Sequence, residues 1–406
     1  MLRPWAGPAA GYPLDASEET GISRLEVFKL AESVLLEQGA LKPGSLLPTK
    51  KIRLNLRGPG FEMPAPDPGF TAEVRNMVGK DAPAYGISVL DITDPKNPRY
   101  AEINGNRTQN PGSVGKIMVL LGWFQALADI YPDDIDARKQ VLYETQVTAN
   151  GFINRDSHVV PFWKRGDPKV IRRAIEIGDT ANLWTWLDWM ASASSNAAAS
   201  QMISELVLLR EFGASYPVSR AEADAFFKNT SKSKLAKKLS AAIQTPVTRN
   251  GLNVNHLRQG SLFTREGKSR LPGVSSTSTS SELLRYLVLM EEGKLVDPWS
   301  SLEIKKYLYL TDHRIRYGAS PALDSSALYF KSGSLYSCRP EKGFTCGKYM
   351  GNKYNYLAST AIVETHGNNP PLRYIVVVLS NVLKKNSAEV HENFATDLHA
   401  LIGRSH

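Results

Sequence analysis

The stretch Asn110-Pro111-Gly112-Ser113-Val114-Gly115-Lys116-Ile117-Met118-Val119-Leu120-Leu121 decides how the rest of the chain is read. Pro111 and Gly112 mark a turn, and the apolar run behind them predicts a buried helix opening near Gly115. Ser113 then falls at or near the first helical turn. Residues three apart on a helix share a face, so the Ser113 hydroxyl and the Lys116 amine can meet. A serine hydroxyl becomes a useful nucleophile only when a neighbouring base takes its proton. A lysine can be that base when burial lowers its pKa towards neutrality. The positive end of the helix also favours negative charge developing beside Ser113.

Taken alone, this tetrad says little, because serine and lysine are abundant enough for about one such spacing to arise by chance in a chain of this length. Ser231-Lys232-Ser233-Lys234 is such a coincidence: it lies in a polar, charged stretch with no apolar helix behind it and reads as solvated surface. Ser113-Val114-Gly115-Lys116, by contrast, is followed by two further pieces in order. Ser194-Ser195-Asn196-Ala197-Ala198 comes after the apolar helical stretch Leu183 to Met190, where the chain turns into another helix. Lys331-Ser332-Gly333 ends the strand Ala327-Leu328-Tyr329-Phe330. Each piece has a plain reading of its own, since serine caps helices well and a lysine at a strand end is ordinary.

In this order and these settings the three pieces resemble the S-x-x-K, S-D-N and K-T-G signatures of class A β-lactamases and penicillin-binding proteins. Ser195 stands where the second signature has Asp, and Ser332 replaces Thr while keeping the hydroxyl. The hairpin before Ser113, with strands at Tyr85–Ile92 and Tyr100–Ile103 around the turn Asp94–Pro98, is similar to the first two strands of that fold. Ser276-Thr277-Ser278-Thr279 resembles the family's helix start after its Ω-loop, and residues 292–299 continue the likeness.

The resemblance covers residues 81–406 and implies an α/β fold. An antiparallel sheet of about five strands is flanked by helices, with the sheet lobe from 81–112 and 318–406 and an inserted all-α lobe from 113–317. Residues 1–80 fall outside it as an N-terminal extension without an assigned role. They hold a helical stretch from Ser23 to Gln38, a strand-like piece from Lys51 to Leu56, and a Pro/Gly-rich connector from Gly58 to Gly69.

The resemblance also implies roles. Ser113 would be the nucleophile and Lys116 its proton acceptor. Ser194 would relay a proton to the leaving group, and Asn196 would hold the substrate amide. Lys331 and Ser332 would bind a substrate carboxylate. The backbone N–H groups of Ser113 and Ser334 would form the oxyanion hole, and Gly333 would let the edge strand approach the substrate. The substrate is then a small molecule or peptide bearing a carboxylate, and neither a metal nor another cofactor is called for.

One departure bears on turnover. Class A enzymes carry a Glu-x-x-Leu-Asn pattern in the Ω-loop to activate the deacylating water, and no such pattern occurs between Asn196 and Thr277. Glu205 and Glu222 stand in the wrong setting, Glu266 lacks the accompanying Asn, and Gln259, near the expected place, is no base. Acylation without fast release is therefore expected. Three functions remain open at this stage: an acyl-enzyme hydrolase or transferase acting on a β-lactam or D-alanyl peptide, a weakly catalytic binding protein for β-lactams or wall fragments, and an esterase.

Composition narrows the setting. The chain has 406 residues, 42% hydrophobic and 22% charged, ordinary for a folded protein with a large core. A net charge of +9 suits either solubility or attraction to an anionic polymer such as cell wall. The densest basic run, Lys228 to Lys238, lacks interleaved aromatics and does not fit a nucleic-acid platform. Cys338 and Cys346 flank a Pro- and Gly-containing turn; they either close a disulfide, which would argue for a periplasmic or extracellular protein, or remain two free thiols. No apolar run approaches the roughly 18 residues of a membrane span, and no signal peptide is visible at Met1–Trp5. The crowding of Trp184, Trp186 and Trp189, and the pair His391 and His399, read as packing features.

Overall fold

The protein is described by a computed structural model, which covers residues 15–26, 47–58, 60–154, 156–167, 169–312, 314–366 and 370–406. Strand-forming residues from the two ends of the chain meet in one sheet. Strands β1 (Tyr85–Asp91) and β2 (Arg99–Ile103) form the expected hairpin. Asp67 caps the helix Pro68–Val78 that precedes it, accepting the Phe70 N–H, with Pro68 at the position where its missing N–H costs nothing.

The middle of the chain is mostly helical, but it is not all-α. Among the described residues three two-stranded ribbons lie within it: β3 (Gln146–Thr148) with β6 (Thr180–Asn182), β4 (Val159–Phe162) with β5 (Ile171–Ala174), and β7 (Leu257–Arg258) with β8 (Thr277–Ser278). These strands are two to four residues long and pair only within long connections, too short to leave a period-2 pattern. The helices around them start on side-chain caps: Asn182 for Leu183–Ala191, Ser195 for Asn196–Phe212, and Thr279 for Ser280–Glu291. Ser231 caps Lys232–Arg249 in the same way. The Ser231–Lys234 stretch is exposed as expected, yet a helix does open behind it, amphipathic rather than uniformly apolar.

The chain then returns to the sheet as β9 (Ser326–Ser337), β10 (Tyr354–Thr365) and β11 (Arg373–Asn381). The antiparallel order is β2-β1-β11-β10-β9, which leaves β9 at the edge. Both faces are covered. Residues such as Val376 and Val378 pack towards the C-terminal helix Ser387–Arg404, while Ile375, Val377 and Leu379 join the larger core shared with the helical lobe. That double burial leaves β1 buried along its whole length, Ser88 included, and makes the middle of β11 continuously apolar rather than alternating.

The N-terminal residues are not a separate unit where they are described. Ala16, Ile22, Leu25, Ile52 and Leu56 belong to the main core. Arg24 enters the helical lobe and holds the buried Asp188 carboxylate at 2.6 and 2.7 Å. The Lys51–Leu56 piece forms a 3₁₀ turn and an irregular segment, not a strand, because it lies across helices and meets no sheet edge. Its Asn55 joins a buried cluster in which Lys305 bridges Glu291 and Glu364 at 2.6 Å each. Of the helix expected over Ser23–Gln38, Ser23–Glu26 is helical and the remainder lies outside the described residues.

Cys338 and Cys346 are joined in a disulfide with Cα atoms 6.2 Å apart. Gly112–Ile130 is long and apolar enough to pass a length-and-composition test for a membrane span, but 78% of that window is buried in the core. Trp184, Trp186 and Trp189 are core residues, the last two donating to the Val147 and Pro161 carbonyls. His391 is fully buried between the Ser359 and Ser380 hydroxyls, and burial takes it down to about 3.

Candidate active site

The turn at Pro111–Gly112 leads into one 3₁₀ turn, Gly112–Gly115, before the helix Lys116–Ile130 begins. In a 3₁₀ turn residues i and i+3 eclipse, so Ser113 and Lys116 are brought together more directly than α-helical spacing alone would do. The Lys116 Nζ lies 3.0 Å from the Ser113 Oγ. It also donates to the Ser194 carbonyl at 2.6 Å and the Asn196 Oδ1 at 2.9 Å, and stands 3.4 Å from the Ser194 Oγ.

Lys116 is fully buried. Burial pulls its pKa down to about 7, against a smaller opposing pull from the Asp156 carboxylate. A neutral amine has two N–H donors and one lone pair. The two carbonyl-type acceptors, on Ser194 and Asn196, take the donors, and the lone pair is left for the Ser113 hydroxyl.

Ser194 reaches the site across 78 residues of sequence. It adopts φ +62°, a left-handed conformation uncommon for a non-glycine residue and often concentrated at functional turns. Its Oγ accepts from the Lys331 Nζ at 2.7 Å, so the hydroxyl sits between two buried amines. Burial, with Lys116 and Arg316 adding to it, holds Lys331 well below the usual lysine range.

The edge strand closes the other wall. A Cβ on Gly333 would lie 2.3 Å from the Ser113 nitrogen, and one on Gly112, at φ +54°, would crowd the Ser334 nitrogen at 3.2 Å. Glycine at both places lets the Ser113 and Ser334 N–H groups share one small space. The structure thus gathers Ser113, Lys116, Ser194, Asn196, Lys331, Ser332, Gly333 and Ser334 into one cluster.

Three residues that sequence reasoning passed over stand beside them. The Arg316 guanidinium donates to the Ser332 Oγ at 2.8 Å, the Ser334 Oγ at 2.9 Å and the Tyr349 hydroxyl at 3.2 Å. It adds a planar cation where a carboxylate is expected to bind. Phe263 places its ring 4.8 Å from the Lys116 Nζ. Asp156, in the loop before β4, accepts from the Ser195 hydroxyl and the Ala197 N–H. A positive-φ arginine and an aspartate in an irregular loop leave no periodic signal, so only their proximity reveals them.

The carboxylates weighed for deacylation lie elsewhere. Glu266 pairs with Arg270 at 3.0 Å in the short helix Arg265–Arg270. Glu222 is used in a capping box with Ser219, and Glu205 bonds Tyr216 and Gln201. Gln259 is buried beside the Gly112–Gly115 turn, its Oε1 filling the space that a Cβ on Gly115 would need.

Comparison with known proteins bears on the family and the fold. Residues 69–390 match the family described as "Beta-lactamase enzyme family". Among solved structures, PBP-A has TM-score 0.51 at 12% identity, covering 85% of this chain and 100% of that one. The β-lactamase of Sphaerobacter thermophilus also gives 0.51 at 12% identity, covering 83% and 97%. A variant of PBP-A as an acyl-enzyme complex with penicillin G gives 0.51 at 11%, covering 84% and 100%. No curated protein matches the chain at a significant level. At these identities the structures speak for the fold, and the family match spans most of the sequence: the chain belongs to the beta-lactamase enzyme family.

Proposed function

We propose that the protein is a serine hydrolase or acyltransferase that forms an acyl-enzyme on Ser113 with an amide substrate such as a β-lactam or a D-alanyl peptide. The observation that carries this reading is the buried Lys116 amine, drawn down to about 7, beside the Ser113 hydroxyl at 3.0 Å. Lys116 takes the Ser113 proton as Oγ attacks the substrate carbonyl. The Ser113 and Ser334 N–H groups receive the oxyanion. The C–N bond then breaks, and the leaving nitrogen takes a proton from Ser194, which recovers it from the protonated Lys116. Lys331, Ser332 and Arg316 bind the substrate carboxylate, and the Asn196 amide N–H₂ meets the substrate's side-chain amide.

Slow deacylation is part of the same reading. The carboxylate whose charge acts on Lys116, Asp156, is held at about 2, burial notwithstanding, by His158 and by the Ala197 N–H. Its oxygens already accept four hydrogen bonds, so it is a weak base for water. The Phe263 ring beside Lys116 adds apolar surface there. The disulfide supports residence in an oxidising compartment, periplasmic or extracellular, and the +9 charge is compatible with cell wall as a partner. The test is intact-protein mass after mixing with penicillin G. A mass increase of one penicillin, lost in Ser113→Ala, is expected; an unmodified protein overturns the reading.

A further inference from the structure

Ser195 occupies the position where the family signature has an aspartate, and its hydroxyl is turned to a carboxylate brought from elsewhere. Ser195 is fully buried. Its Oγ accepts the Ala198 N–H at 3.1 Å and donates to the Asp156 Oδ2 at 3.1 Å. The same oxygen accepts the Ala197 N–H at 2.8 Å. Asp156 therefore caps the first turn of the helix Asn196–Phe212, where negative charge is favoured. Its other oxygen is fixed by the His158 N–H at 3.2 Å and Nδ1 at 2.6 Å, and its side chain is only 4% exposed.

We propose that Asp156 is a positioning residue that supplies, from a separate loop, the carboxylate missing from the Ser194-Ser195-Asn196 turn, and so holds Ser194 and Asn196 against Lys116. The turn is gripped from both sides. Lys116 bonds the Ser194 carbonyl and the Asn196 Oδ1, while Asp156 bonds Ser195 and Ala197. A left-handed serine such as Ser194 persists only where its surroundings over-determine it, and these two groups do so. The carboxylate also acts on Lys116 through space, favouring its protonated form against burial. Of the titratable and cationic groups about that amine, Lys331 stands on β9 with Arg316 behind it, and His158 pairs with the other oxygen of Asp156.

The role rests on the acyl-enzyme reading, and the experiment separates the two. In Asp156→Asn the shape is kept and the charge removed. NMR of ¹³Cε-lysine-labelled protein, with Lys116 assigned through Lys116→Arg, reads the amine without any substrate; its titration midpoint should move to lower pH. The rate of acylation by a fluorescent penicillin should fall by about tenfold or more, as expected when a positioning contact is lost, and its acid limb should move the same way. Ser195→Asp combined with Asp156→Ser returns the carboxylate to the turn and should recover most of the rate lost in Asp156→Ser alone. That double variant decides the matter even if Asp156→Asn folds poorly. An unchanged midpoint and rate in Asp156→Asn, or no recovery in the double variant, overturns the proposal. If the unmodified protein is not acylated at all, the acyl-enzyme reading falls, while the Lys116 titration still judges what Asp156 does.

Discussion

The Lys116 Nζ stands 3.0 Å from the Ser113 Oγ with its other contacts on the Ser194 carbonyl and the Asn196 Oδ1. Only a neutral amine can take a proton, and burial brings Lys116 down to about 7. Below that pH the amine is protonated and blocked; above it the lone pair is free. Acylation by penicillin G should therefore rise with pH through about 7 and then level. Lys116→Ala should lower the rate by about 10²–10⁴-fold, the usual range for a lost general base. Stopped acylation followed by mass spectrometry across pH 5 to 9 checks both; a flat profile would show that another group accepts the proton.

Gly333 is sterically required by its neighbour. Its Cβ in an alanine variant would fall 2.3 Å from the Ser113 nitrogen and 2.6 Å from the Pro111 carbonyl oxygen, both backbone atoms that cannot swing away. Gly333→Ala should force β9 from the nucleophile turn and widen the oxyanion space. A displacement near 1 Å costs about 10²-fold in rate. The fold should survive, because β9 keeps its ladder with β10. Acylation kinetics set beside a melting curve distinguish this from simple unfolding.

Deacylation should be slow and indifferent to Glu266. That carboxylate is bound to Arg270 in its own helix, so Glu266→Gln should leave the lifetime of the acyl-enzyme unchanged. Turnover above roughly 10 per second, the median for enzymes, would mean that a base other than those considered reaches the ester. Mass spectra taken over minutes after removal of free penicillin measure the lifetime directly.

Arg24 and Asp188 form a buried pair between the N-terminal segment and the helix that leads to Ser194. Arg24→Ala would leave the Asp188 carboxylate, 0% exposed, without its cation. Breaking such a pair typically costs about 3–5 kcal/mol. Denaturant unfolding should show a loss of that size, and acylation should weaken as well because the helix Leu183–Ala191 carries the Ser194 turn. An unchanged midpoint would show that the Arg24–Asp188 pair adds nothing to stability.

What the sequence determined by itself was local. Ser113 and Lys116 lie three residues apart at the opening of an apolar helix, and a one-turn relationship is legible from spacing because backbone geometry alone enforces it. The strands read at Tyr85–Ile92 and Tyr100–Ile103 were legible from their apolar runs and the turn between them, as was the order of the three signatures, whereas the helix caps came from the structure. Tertiary structure decided what spacing does not encode. It carried Ser194 to the amine from 78 positions away and Lys331 to the Ser194 hydroxyl from 137, set Arg316 and Asp156 beside them, and drew Ile52 and Leu56 of the apparent extension into the main core and Arg24 onto Asp188. The short ribbons of the helical lobe escaped notice because strands of two to four residues have too little length for a pattern. Long-range placement follows from how buried surfaces fit together, and a single aspartate in an irregular loop shows its partner only when the chain has closed around it.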